Sequence, residues 1–468
     1  MSGASPNGGR PEGAAATAST ADYGRTASFL AIGVGLTGVI TYVYFFIASH
    51  VLSKPDYGQI TVLWSAVFIT ISTLYRPVEQ LLSRHIAEHT VKGEPIGGTM
   101  RNAATIQAGL SLLFAVLALA LRGPIQDGVL EGNETLYWVF FSAVLFYAAS
   151  YFARGFLAGN KRFGLFTALI LSESCFRTVF AVLVAVSVLS GQSAVAIGIV
   201  AAPALSLMVV PFAFARRAKR VQEAAPPRAG DEDAAVSMAH GTGFAAAVLV
   251  IMFSEQAFLN AGPLVIRGLQ GAAAAGFIFN VLMIARAPLQ LFQAVSTSIL
   301  PHLTGLHTSD EPGSEDEFHR SVRMVLLGIA AFTALALIFM AAVGPTAMQL
   351  AFSKKFTYDR EGLLLVTLGM GLYLCSVTVN QACIAQGQVR RAAGRWIACA
   401  MLFIGWTFVP LVSDEFRRVE LGFLLAAGAL FALLYYVYRR PRERAEDIPA
   451  PGSPEELEVR LAAIDDNT

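Results

Sequence analysis

The sequence predicts an all-α integral membrane fold of about 12 transmembrane helices arranged in two six-helix lobes. Three observations carry this. Hydrophobic residues make up 55% of the 468-residue chain and charged residues only 14%, against about 25% charged in an average soluble domain. Apolar segments near 20 residues long, enough to cross a bilayer as a helix, recur along the chain. A polar stretch, Arg216–Gly241, divides them six and six: basic, then Pro-rich, then acidic, with no apolar face.

In order, residues 1–26 read as a disordered cytoplasmic tail, rich in Gly, Ala, Ser and Thr and without the apolar core of a cleavable signal. The first lobe, residues 27–215, holds spans near Ala27–Val51, Gly58–Leu82, Ala103–Leu121, Leu136–Leu157, Phe163–Leu189 and Ala194–Ala215. The linker is residues 216–241. The second lobe, residues 242–438, holds Phe244–Ile266, Ala274–Leu300, Val322–Met348, Leu363–Ile384, Trp396–Val412 and Leu421–Tyr438. Residues 439–468 form a charged tail with a short helix expected from Pro454 to Ile464.

An even number of spans puts both termini on one side. With that side inside, inner segments carry 22 Lys and Arg and outer segments 8. The excess places both termini in the cytoplasm of a multi-pass plasma-membrane protein.

The halves show weak self-similarity at an offset near 220 residues. Tyr57-Gly58 opens the second span and Ala275-Gly276 the eighth. The turn FLAGNKR (Phe156–Arg162) parallels CIAQGQVR (Cys383–Arg390). Duplicated transporters place their site where the halves meet.

The net charge of +1 gives no reason to expect nucleic acid as a partner. Cys175, Cys375, Cys383 and Cys399 lie in apolar segments and read as small hydrophobes. No phosphate-cradling Gly-Lys-Ser/Thr loop is present, the seven histidines lack metal spacing, and the outer loops are too short for a catalytic domain. The chain is therefore expected not to be an enzyme, and no metal site or cofactor is expected, with H+ or Na+ as candidate coupling ions.

Charges inside spans are costly and usually face a cavity or a partner. Glu173 and Arg177 are four apart on the fifth span, either pairing with each other or leaving Arg177 free for a phosphate. Arg286, Gln290, Gln293 and Thr297 form a polar stripe on the eighth span, and Ser65, Ser72, Arg76, Glu79 and Ser83 form its counterpart on the second. Arg154 lies near the inner boundary, where snorkelling is expected. Glu255 is expected either to pair with Arg286 or to carry a proton. Tyr373, Ser376 and Asn380 on the tenth span are candidate cavity residues. The expected substrate-binding set is Arg177, Arg286, Glu173, Glu255, Arg76, Gln290 and Gln293.

The hairpin KPDYGQITVLWSAVFITISTLYRPVEQLLSRHIAEH (Lys54–His89), the segment GLQGAAAAGFIFNVLMIARAPLQLFQAVSTSILPHLT (Gly268–Thr304) and the turn AGNKRFGLF (Ala158–Phe166) resemble bacterial polysaccharide flippases. These belong to the multidrug/oligosaccharidyl-lipid/polysaccharide exporter superfamily. The resemblance covers roughly residues 26–438, through diffuse patterns rather than fixed signatures. It implies two six-helix lobes in a V, a central cavity, alternating access and a polyprenyl-pyrophosphate-linked saccharide as cargo for polysaccharide or cell-envelope biosynthesis. Implied partners are the lipid-linked glycan, membrane lipid and a polysaccharide polymerase or glycosyltransferases. The alternatives are a multidrug/cation antiporter of the same superfamily, against which Arg177 and Arg286 argue, and an integral-membrane glycosyltransferase or ligase.

Overall fold

The computed structural model describes residues 12–211, 234–286 and 314–440, and side chains within 32–211, 246–286 and 316–440. Among them every regular element is helical.

The first lobe holds α1 (Glu12–Val51), α2 (Lys54–Leu74), α3 (Arg76–Lys92), α4 (Gly97–Ala120), a one-turn π-helix (Pro124–Val129), α5 (Glu134–Gly159), α6 (Phe163–Ala185) and α7 (Gly191–Ser206). The second holds α8 (Ala234–Gln270), α9 (Ala272–Arg286), α10 (Ser314–Phe352), α11 (Arg360–Ala385), α12 (Val389–Phe408) and α13 (Glu415–Arg439). Among the described residues, ten stretches are long and apolar enough to cross a membrane. One of them, Lys54–Thr90, runs through both α2 and α3. The shorter apolar helix α9 and α12 bring the second lobe to six helices beside the six spans of the first. α1 starts at Glu12, inside the expected tail, because Ala14–Ala16, Ala18 and Ala21 favour helix. The linker falls largely, and residues 441–468 wholly, outside the described residues, as do Gln290, Gln293 and Thr297.

Polar side chains close the helix starts. Ser53, Asn133, Asp359 and Asp414 each accept a backbone N–H of the following turn, opening α2, α5, α11 and α13. Pro77 has no N–H and its ring crowds the carbonyl of Thr73, so the second crossing breaks at Tyr75. That break puts Arg76 at a bend facing α8 of the second lobe, with Glu79 one turn further along α3.

Two glycines set the depth of α5. A side chain at Gly155 would strike the Glu79 carbonyl at 2.8 Å, and one at Gly159 the Ser83 carbonyl at 2.8 Å. Spaced four apart, they let α5 lie directly on the backbone of α3. Peripheral helices turn apolar side chains outward: the spanning window of α10 is 17% buried, whereas that of α11 is 72% buried. Lipid accepts such a surface where water would not.

The sequence repeat is visible in the turns after α5 and α11. Asn160, Lys161 and Arg162 N–H groups bond back to Phe156, Ala158 and Leu157; Gln386, Gly387 and Gln388 bond back to Ala382, Ile384 and Cys383 in the same pattern. The middle residue of each is left-handed, Lys161 at φ 54° and Gly387 at φ 73°.

Candidate functional site

The lobes are sealed together at one end. Glycine makes this approach possible: a Cβ on Gly58 of α2 would lie 1.8 Å from the Ala272 carbonyl at the start of α9. Its repeat counterpart Gly276 faces it, with an added Cβ 3.3 Å from Gly58 Cα. The Tyr57 hydroxyl donates to Asn280 Oδ1, and Lys355 Nζ donates to the Leu52 carbonyl. Burial and the neighbouring Lys54 ammonium push Lys355 below the usual lysine range. Glu131, in the loop after the π-helix, accepts Gln59 Nε2 at 2.8 Å and the Ala272 backbone N–H at 3.0 Å. A side chain of one lobe thus caps a helix of the other.

Deeper in the interface, a row of charges crosses from lobe to lobe. Glu173 of α6 pairs with Arg154 of α5 at 2.5 Å and also accepts Ser150 Oγ at 3.3 Å. Arg154 stacks over Tyr151, 4.6 Å from the ring centre. Glu79 lies within electrostatic reach of both Arg154 and Arg76. Arg76 in turn meets Glu255 of α8 at 3.9 Å, across the lobes. Arg76 keeps 38% of its side chain exposed and Glu255 19%, so the row ends where the interface opens.

Arg286 stands apart. Its Nε and Nη2 are buried and have no hydrogen-bond partner among the described residues. Tyr42 of α1 and Tyr373 of α11 are within electrostatic reach of it, and Tyr373 is equally within reach of Glu255 and Arg76. The buried Tyr373 is thus within electrostatic reach of all three charges.

These placements correct several expectations. Glu173 and Arg177 do not pair. Arg177 points instead into a box of rings and hydroxyls: Trp64 at 4.5 Å, Tyr44 at 5.7 Å, Thr41 at 3.2 Å, Ser174 at 3.3 Å and Tyr147 at 3.4 Å. Arg154 does not snorkel, because the close approach of α3 and α5 and the facing Glu173 hold it inside the lobe. Glu255 pairs with Arg76, not Arg286, because α2 and α3 run alongside α8. Ser376 and Asn380 are buried within the second lobe; Ser376 bonds the Leu372 carbonyl and Asn380 accepts Trp396 Nε1 at 3.0 Å, so both pack rather than line a cavity. Of the expected stripe on the eighth span, only Arg286 is described.

Sequence reasoning missed the Arg177 box, the Glu131 cap and the α3–α5 contact. The last had a signal, the Gly-x-x-x-Gly spacing of Gly155 and Gly159. The other two join residues far apart in the chain, with no periodicity to find them.

Comparison with known proteins finds the fold only through structure. No family model matches the chain, and no curated protein sequence matches it. Solved structures do. The eukaryotic MATE transporter AtDTX14 aligns with a TM-score of 0.60 at 14% identity, over 89% of this chain and 95% of its own. A mutant of the Vibrio cholerae MATE transporter VcmN aligns at 0.58 and 16%, over 89% and 97%. The outward-facing conformation of a multidrug resistance MATE family transporter of the MOP superfamily aligns at 0.60 and 12%, over 88% and 94%. The chain has the MATE transporter fold along nearly its whole described length.

Proposed function

We propose that this chain is a membrane transporter that moves a polyprenyl-pyrophosphate-linked saccharide across the bilayer by alternating access of its two lobes. The fold likeness supports transport by alternating access, and the neighbours are transporters rather than enzymes. The choice of cargo rests on one observation: Arg286 has two buried guanidinium nitrogens without an acceptor among the described residues. A guanidinium fork matches two phosphate oxygens, and a cationic cargo would be repelled by it. With both termini in the cytoplasm, as the distribution of Lys and Arg favours, the sealed end faces outward and the open side of the Arg76–Glu255 pair faces the cytoplasm, where such a precursor would load.

A second reading, a drug/cation antiporter, has its own support. The solved neighbours include multidrug resistance transporters, and this favours antiport over flipping. Glu79, Glu173 and Glu255 supply acids for exchange with H+ or Na+. The intramembrane arginines are what favours the anionic cargo.

Reconstituted vesicles separate the two. Flipping of a fluorescent polyprenyl-pyrophosphate sugar is expected from the wild type, and a loss of at least about tenfold from Arg286→Ala with folded protein retained. Arg177→Ala is the comparison: equal loss there would bring Arg177 back into the substrate path. Extrusion of a cationic dye on an H+ or Na+ gradient, with no flipping of any saccharide tried, would install the antiporter. In that case an unchanged pH profile in Glu255→Gln would remove Glu255 as the proton carrier.

A further inference from the structure

A cleft of about 300 Å³ opens on the seam between the lobes, beside the end of α8. Ala66 and Ile69 of α2, Val129 of the π-helix and Leu264 of α8 give it an apolar wall, and Arg267 gives it a charge. Both lobes build it. It lies on the α2–α8 side of the molecule and shares no residue with the charge row or with Arg286.

Arg267 is held but not satisfied. Its side chain is 14% exposed. Nη2 donates to the Asp127 carbonyl at 3.4 Å, while Nε is buried without a hydrogen-bond partner among the described residues. The nearest carboxylate oxygen, Glu131 Oε1, is 4.0 Å from Nε and already accepts the Ala272 N–H. A buried donor of this kind calls for an acceptor that the described residues do not provide.

We propose that the cleft is a phospholipid site, in which a zwitterionic aminophospholipid of the bilayer seats its phosphate on Arg267 and the upper part of one acyl chain between α2 and α8. The position fits. Arg267 is three residues from the end of α8, which closes a stretch long and apolar enough to cross a membrane, and Leu264 of the apolar wall lies a turn further in. The charge fits a phosphate, which a guanidinium binds more strongly than a neutral acceptor. The rim sets the headgroup: Asp127 and Glu131 are exposed beside Arg267. They repel a net-anionic head and attract the ammonium of an ethanolamine head. The volume, at the low end of small-molecule pockets, takes part of one chain rather than a whole lipid. Because the walls come from both lobes, the site exists only while this end is sealed. Bound lipid therefore favours the sealed state over the opened one.

Native mass spectrometry of the full chain in detergent, titrated with phosphatidylethanolamine or phosphatidylglycerol, tests this. Phosphatidylethanolamine is expected to bind at the lower concentration. Arg267→Gln is expected to weaken it about tenfold, and Leu264→Trp, which keeps the charge and fills the cleft, to weaken it as much. Should Arg267→Gln fail to fold, Leu264→Trp and Ile69→Trp carry the test. In spin-labelled protein, added phosphatidylethanolamine should narrow the distance distribution across the sealed end in the wild type and not in Leu264→Trp. Binding unchanged in the cleft-filling variants, or phosphatidylglycerol binding as tightly as phosphatidylethanolamine, overturns the proposal.

Discussion

At the scale of single residues, the intramembrane arginines divide into Arg76 and Arg154, which face carboxylates, and Arg177 and Arg286, which face none among the described residues. Arg154 and Glu173 are both buried, so each depends on the other. Glu173→Gln leaves a buried guanidinium without its counter-charge and is expected to cost roughly 3–5 kcal/mol, read as a lower thermal-unfolding midpoint. Arg154→Met in the same chain should recover most of the loss, since replacing both members of a buried pair by neutral groups is often nearly neutral. Arg177→Lys is a milder change. It keeps the charge and gives up the flat stack over Trp64, at a cost of about 1–2 kcal/mol. The charges themselves were legible, because a bilayer makes every Arg or Glu inside a span conspicuous. Their partners were not. Residues four apart differ by about 40° around a helix. On α6 that suffices to turn Glu173 toward α5 and Arg177 toward α1 and α2.

At the scale of elements, the spans could be read because lipid imposes a length of about 20 apolar residues; their starts could not, since the caps Ser53, Asn133, Asp359 and Asp414 begin the helices before the expected apolar stretches. α12 begins at Val389, before the expected Trp396, so Arg390, Arg391 and Arg395 stand on its first turns rather than in the preceding segment. What could not be read is how closely the helices approach, which glycine decides. A methyl at Gly159 would meet the Ser83 carbonyl and Ile86, neither free to move. Gly159→Ala is expected to destabilise by about 1–3 kcal/mol. Gly109→Ala, in the interior of α4 with nothing within 4 Å of an added Cβ, should instead gain about 0.5–1 kcal/mol. Thermal unfolding of the two variants side by side checks the sign. The repeat turns give a second contrast. Gly387→Ala forces a side chain into the left-handed region at a cost of about 1–2 kcal/mol, a conformation Lys161 already occupies at the equivalent place in the first lobe.

At the scale of the whole molecule, the two-lobed layout followed from the polar linker and the six-and-six count, and the sequence repeat turned out to mark the place where the lobes touch. Gly58 and Gly276 are counterparts in the two halves and neighbours in space, as a two-fold relation between lobes requires for residues near its axis. At the glycines the two backbones meet directly, while the Tyr57–Asn280, Lys355–Leu52 and Glu131–Ala272 hydrogen bonds tie the same end across the lobes. A larger residue at Gly58 meets backbone, not a flexible side chain, so the seam cannot close around it. The largest buried apolar cluster runs through both lobes, but most helix pairs in contact lie within one lobe, so each lobe should still fold. Gly58→Leu is therefore expected to leave a folded protein whose lobes stay apart at this end. Pulsed electron resonance between spin labels placed across the seam, one in each lobe, should show the distance distribution moving to longer values. The Arg76–Glu255 pair is the inner counterpart: Glu255→Gln weakens the cross-lobe attraction and should populate the opened outer end to a smaller degree, while the exchange of Arg76→Glu with Glu255→Arg restores the wild-type distribution. A Gly58→Leu protein with wild-type distances would show that the seam closes by some other contact, and the glycine pairing would then be packing without a role in transport.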